Sequence, residues 1–122
     1  VIADYYKEIS NGLLSSALSL IPKSNVLKII TVPGVFEIPV TISKNIKKYD
    51  AFLALGCVIK GQTPHFEFIS QVTTNAIMDL SVSTKKPVGN GIITCLNMKQ
   101  AKARQQKGAE AAKAVISILS QR

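Results

Sequence analysis

A chain of 122 residues fits a single domain, residues 1–122, and can bury a core of its own. Its hydrophobic fraction of 47% contains no apolar run long enough to cross a bilayer, and Val1 opens no signal-peptide pattern. The net charge of +8 suits an anionic ligand, but no aromatic-and-basic RNA signature accompanies it, so neither nucleic acid nor membrane is an expected partner.

The chain opens on Val inside a strand-like stretch, so some N-terminal residues are expected to be missing from the sequence. Val1-Ile2-Ala3 reads as the tail of a first strand, ended by the polar and aromatic Asp4-Tyr5-Tyr6-Lys7. From Ile9 the apolar residues Leu13, Leu14, Ala17, Leu18 and Ile21 recur at helical spacing, and Pro22 stops that helix. Val26 to Val32 is β-branched and apolar apart from Lys28 and Thr31, which predicts a second strand, broken by Pro33-Gly34. Val35-Phe36-Glu37-Ile38-Pro39 begins the next helix, with Pro39 tolerated in its first turn and Ile38, Ile42 and Ile46 repeating at fours.

Ala51 to Ile59 is an apolar run suited to a strand covered on both faces. Lys60-Gly61-Gln62-Thr63-Pro64 breaks it, and His65, the only histidine, opens a helix carrying Phe66, Ile69, Thr73, Ala76, Ile77 and Leu80 on one side. Val88 to Thr94 is a glycine-bearing fourth strand. Asn97 can cap a helix through Ala103, Lys107-Gly108 punctuates it, and a last helix runs through Ala112, Val115, Ile116 and Leu119. Strand and helix alternate, which predicts an α/β fold with a four-stranded parallel sheet and helices on both faces.

In such sheets ligands sit beyond the carboxyl ends of the strands. The loops at Tyr5-Tyr6, Gly34 to Glu37 and Gly61 to His65 must share that edge. Together they offer aromatic faces, a carboxylate, free N–H groups and an imidazole, a set suited to a flat polar ring and an anion. Gly61-Gln62-Thr63 precedes a helix start, whose amides can bind phosphate. Neither GxxxxGK[ST] nor GxGxxG is present, and Gly89-Asn90-Gly91 is too short for either, which argues against nucleotide hydrolysis and nicotinamide redox chemistry. His65 has an unperturbed pKa range near neutrality and is the candidate acid–base group, against the alternative of a capping or packing histidine. Cys57 and Cys95 form no CxxC or metal-type cluster and read as small buried thiols in a reducing cytoplasm.

Val32-Pro33-Gly34-Val35-Phe36-Glu37-Ile38-Pro39, Ala54-Leu55-Gly56-Cys57-Val58-Ile59-Lys60-Gly61 and Thr63-Pro64-His65-Phe66-Glu67 together resemble the 6,7-dimethyl-8-ribityllumazine synthase family. Lys107-Gly108-Ala109-Glu110-Ala111-Ala112 is similar to that family's final helix start, so the resemblance spans essentially the whole chain. It implies a flavodoxin-like three-layer sandwich and a cytoplasmic transferase of riboflavin biosynthesis. The implied reaction condenses 5-amino-6-(D-ribitylamino)uracil with 3,4-dihydroxy-2-butanone 4-phosphate, without metal or organic cofactor. By motif, Tyr5 stacks on the pyrimidine; Val35, Phe36 and Glu37 hold ring and ribityl chain; Val58 and Ile59 contact the ring by backbone. Gln62 and Thr63 cradle the phosphate, and His65 transfers protons. Arg104 pairs with the phosphate and Lys107 lies near it, both from an adjacent subunit, which implies a homo-oligomer built on pentamers. A non-catalytic binder of flavin-like or ribityl compounds is the alternative on the same fold.

The chain departs from the family at three points. Asn90 stands where an aromatic residue is frequent and makes one wall of the ring pocket more polar. Tyr6 stands where a small amide is common. Only Gln105 and Gln106 separate Arg104 from Lys107, where the family carries a glycine- and lysine-rich segment. Either the connection is short, which favours a free pentamer over a sixty-subunit shell, or residues are missing from the sequence there.

Overall fold

The stretch Phe52–Ile59 is apolar at every position because it becomes an inner strand with both faces covered. The computed structural model describes residues 1–62 and 65–121. Its strands β1 (Ile2–Ala3), β2 (Thr31–Val32), β3 (Phe52–Ile59) and β4 (Val88–Cys95) form one parallel sheet in the order β2-β1-β3-β4. The helices are α1 (Lys7–Leu18), α2 (Ile38–Lys44), α3 (His65–Thr84), α4 (Met98–Ala103) and α5 (Lys107–Leu119). The side chains of β3 alternate between two cores. Leu55 and Cys57 join Ile9, Leu13, Ala101 and Ala112 under α1, α4 and α5. Ala54 and Val58 join Val35, Ile38, Ile42 and Ile77 under α2 and α3. The result is the expected three-layer α/β sandwich.

Three expectations need correction. The second strand is two residues long, not the run from Val26 to Val32. β-branched residues form a strand only beside a partner, and β1 pairs with β2 only at Thr31 and Val32, so Val26, Leu27 and Ile29 stay exposed. Val35–Glu37 is a single 3-10 turn, and α2 starts only at Ile38, with Pro39 in its first turn as expected. Gly108 does not break the chain between helices; it lies inside α5, which begins at Lys107.

The two-residue link Gln105-Gln106 is held against α1. Ser16 Oγ donates to the Gln105 carbonyl at 2.7 Å and accepts the Ala109 N–H at 3.0 Å. No side chain caps α5 at its own N-cap, Gln106, so a hydroxyl from another helix serves one of its free first-turn N–H groups. α4 begins as its sequence predicts, with Asn97 Oδ1 accepting the Gln100 N–H at 2.9 Å. Gln100 Oε1 accepts the Leu96 N–H in return, at 2.8 Å.

Candidate active site

β1, β2 and β3 are neighbours, so the loops leaving their carboxyl ends are neighbours too. Beyond β1, Tyr5 is 74% exposed, and its ring centroid lies 4.9 Å from that of Tyr6 in an edge-type contact. Beyond β2, Val35 is buried while Phe36 is 58% exposed and Glu37 half-buried. A short turn thus anchors its first residue in the core and presents the next two at the edge.

Two glycines make that turn possible. A Cβ on Gly56, in the middle of β3, would come within 2.7 Å of Val35 Cγ1, so the bare backbone there is the seat on which the turn rests. A Cβ on Gly34 would come within 3.2 Å of Glu37 Oε1, which puts the carboxylate back over the start of its own turn. Gly34 has extended dihedrals that any residue adopts, so its need is space and not conformation.

β3 ends at Val58 and Ile59, and exposed Lys60, Gly61 and Gln62 follow. Thr63, expected at the phosphate, lies outside the described residues. His65 is the first residue of α3 and is exposed. Its neighbour Phe66 packs on the cluster that holds Val35, and α3 touches the Val35–Glu37 turn. His65, Phe36 and Glu37 therefore belong to one rim of one sheet.

Arg104 and Lys107 lie elsewhere. They line a cleft of about 370 Å³ along the outer edge of β4, with Thr94, Gln106 and Glu110, and neither Tyr5, Phe36, Glu37 nor His65 lines it. Asn90, also on β4, sits opposite Ala54, well before the strand's carboxyl end. Its Oδ1 accepts the Ile92 N–H at 3.1 Å, which occupies a donor of the edge strand. A single chain thus presents two separate groups of the expected residues, one at the rim of β1 to β3 and one along β4.

Burial, then the neighbouring Tyr5 and Cys57, raises the pKa of the Tyr6 hydroxyl. Burial, then the Cys95 thiol, pushes Cys57 up to about 12, so at neutral pH it is a protonated thiol and no nucleophile. No group of three or more His, Cys, Asp or Glu side chains that could hold a metal occurs among the described residues. No helix of the described residues is long and apolar enough to cross a membrane. Sequence reasoning assigned no role to Gly56, which seats the Val35 turn, or to Ser16, which holds the start of α5. Only Gly56 left a signal, as a glycine inside an apolar strand.

A parallel sheet with an exposed histidine, an aromatic-and-acid turn and a glycine-bearing loop at its carboxyl edge defines an open α/β protein that handles small molecules at that edge. The chain belongs to the 6,7-dimethyl-8-ribityllumazine synthase family, whose model matches residues 1–122. The 6,7-dimethyl-8-ribityllumazine synthase of Bartonella bacilliformis is 48% identical over 88% of this chain and 74% of its own length. The 6,7-dimethyl-8-ribityllumazine synthase 1 of Rhodopseudomonas palustris is 41% identical over 98% of this chain and 81% of its own. The enzyme of that name from Bartonella henselae is 42% identical over 98% and 84%.

Proposed function

We infer that this chain is a lumazine synthase of riboflavin biosynthesis. It condenses 5-amino-6-(D-ribitylamino)uracil with 3,4-dihydroxy-2-butanone 4-phosphate to 6,7-dimethyl-8-ribityllumazine. The amine adds to the ketone, a Schiff base forms, phosphate is eliminated and the ring closes, with release of water. The observation that carries this reading is the common rim of Tyr5, Phe36, Glu37 and His65 in a chain of this family.

Each group has work that suits its placement. The exposed faces of Tyr5 and Phe36 are free to stack on the pyrimidine. Val35, Val58 and Ile59 bring backbone polar groups to the ring's edge. The Glu37 carboxylate accepts from ribityl hydroxyls. His65 shuttles the protons that imine formation and phosphate loss require. Gln62 and Thr63 meet the phosphate from the loop before α3. Holding both substrates together supplies a further share of the barrier reduction, up to about 7–11 kcal/mol in favourable systems.

The cationic pair Arg104 and Lys107 completes the phosphate site from an adjacent copy, with Asn90 along the same β4 edge. Support comes from their own cleft, which the rim residues do not line. Further support comes from α3, which leaves Phe68, Val72, Met78 and Val82 exposed, an apolar surface suited to copy-to-copy packing. The assembly is a homo-oligomer built on pentamers in the cytoplasm. Its connection at Gln105-Gln106 is compact, pinned by Ser16, which favours a free pentamer.

The test is a mixing experiment. His65→Ala is expected to lose most activity, and Arg104→Ala to lose most of its own when the butanone phosphate is held well below the raised KM. Unfolding and reassembling them together restores activity if sites are shared between copies, because some interfaces then pair an intact His65 with an intact Arg104. Product formation is read from lumazine absorbance. No product from the unaltered protein would remove the enzyme reading and leave a binder of ribityl compounds; activity without any recovery on mixing would remove the shared site.

A further inference from the structure

Tyr6, in edge contact with Tyr5, is the aromatic residue of the rim that the proposed chemistry leaves unused. Tyr5 is 74% exposed on a connection of three residues between β1 and α1. A ring so placed has little to hold it in one rotamer. Tyr6 is different. It is half-buried, packed against the core formed by Ile2, Ile9, Leu55 and Cys57, and its carbonyl accepts the Ser10 N–H at 2.9 Å, so its backbone is tied to α1. The two rings meet at 4.9 Å with their planes 65° apart. In that geometry one ring's edge meets the other's face, so at least one face of Tyr5 stays open whichever way the contact runs. The Tyr6 hydroxyl has no hydrogen-bond partner among the described residues, so the ring and not the hydroxyl makes the contact that matters.

We propose that Tyr6 is a positioning residue: its core-anchored ring fixes Tyr5 in the orientation that stacks on the pyrimidine substrate. The proposal rests on the reading that Tyr5 does stack there. A ring held in place before binding loses less rotamer freedom when the substrate arrives, and that saving shows as affinity.

The experiment compares steady-state kinetics of Tyr6→Leu, Tyr6→Phe, Tyr5→Ala and the double variant Tyr5→Ala/Tyr6→Leu. Tyr6→Leu is expected to raise KM for the ribitylaminouracil roughly two- to tenfold, the range of one aromatic pair. KM for the butanone phosphate and kcat should stay within about twofold of the unaltered enzyme, since a pre-ordering contact adds to binding alone. Tyr6→Phe should restore KM. In the Tyr5→Ala background, Tyr6→Leu should add nothing, because its effect runs through the missing ring. Should Tyr6→Leu fail to fold, Tyr6→Met, whose flexible unbranched chain fits irregular space, carries the same comparison. An unchanged KM in Tyr6→Leu while Tyr5→Ala raises it would overturn the positioning role and leave the stacking reading intact. Equal losses from Tyr6→Leu with and without the Tyr5 ring would overturn it as well. An unchanged KM in Tyr5→Ala would defeat the stacking reading itself, and the proposal with it.

Discussion

The hydroxyl of Ser16, in the third turn of α1, accepts the backbone N–H of Ala109 in the first turn of α5 at 3.0 Å. The same oxygen donates to the carbonyl of Gln105 at 2.7 Å. One side chain thus ties the end of the α4–α5 connection to the start of the helix that carries Lys107. The approach is close enough that a Cβ on Gly108 would overlap the Leu13 carbonyl.

Ser16→Ala leaves the Ala109 N–H and the Gln105 carbonyl without these partners, a loss of about 1–2 kcal/mol. Gly108→Ala forces the two helices apart and is expected to cost about 1–3 kcal/mol. Thermal denaturation should show both as a fall in Tm on the order of several degrees. An unchanged Tm in Gly108→Ala would show that α1 and α5 can separate at this crossing without loss.

His65 is exposed at the first residue of α3, so its removal has little packing to disturb. His65→Ala is expected to lower kcat by roughly 10²–10⁴-fold, the range for a positioned acid–base group. Its Tm should stay within about a degree of the unaltered protein. A rate that does not change takes the imidazole out of the mechanism.

Gly56 lies far from solvent yet acts on the rim through Val35. Gly56→Ala pushes Val35 outward and with it Phe36 and Glu37. Stability should fall by about 1–3 kcal/mol. KM for the ribitylaminouracil should rise as well, while KM for the butanone phosphate changes less. A variant with normal binding and reduced Tm would show that the turn adapts.

Arg104 meets the phosphate through a charge-assisted contact in the proposed site. Arg104→Ala should raise KM for the butanone phosphate roughly tenfold. Added salt should raise that KM in the unaltered enzyme and have less effect on the variant, since the screened charge is gone. Equal salt dependence in both would place the phosphate elsewhere.

Cys57 keeps its proton because burial and Cys95 raise its pKa from 9.0 to about 12. The fold favours the neutral thiol, so the stability linked to it is fully present below pH 9 and is lost as pH rises toward 12. Alkylation at pH 8 should be slow for both cysteines in the folded protein and fast in denaturant, as mass spectrometry can count. Rapid labelling of Cys57 under native conditions would contradict this environment.

The order of strands and helices, the capping of α4 by Asn97 and the place of His65 beyond β3 are all legible in the sequence. Each depends on residues close together in the chain: a continuous apolar run, a cap three residues from its donor, a lone imidazole after a turn. Strand length at β2 was not legible, because Val26 to Ile29 has strand-forming residues but no register partner on β1. Nor was the role of Ser16, which reads as one more small residue on α1 until α5 arrives 93 positions later. The resemblance already assigned Arg104 and Lys107 to an adjacent subunit, but the cleft they line along β4 with Thr94 and Glu110 emerged only from packing. Local spacing therefore sets the order and type of the elements, though not where β2 and α2 begin. Which partner stands across from it, and at what distance, depends on how the layers close over the sheet, and that information is carried by contacts between residues far apart in the chain.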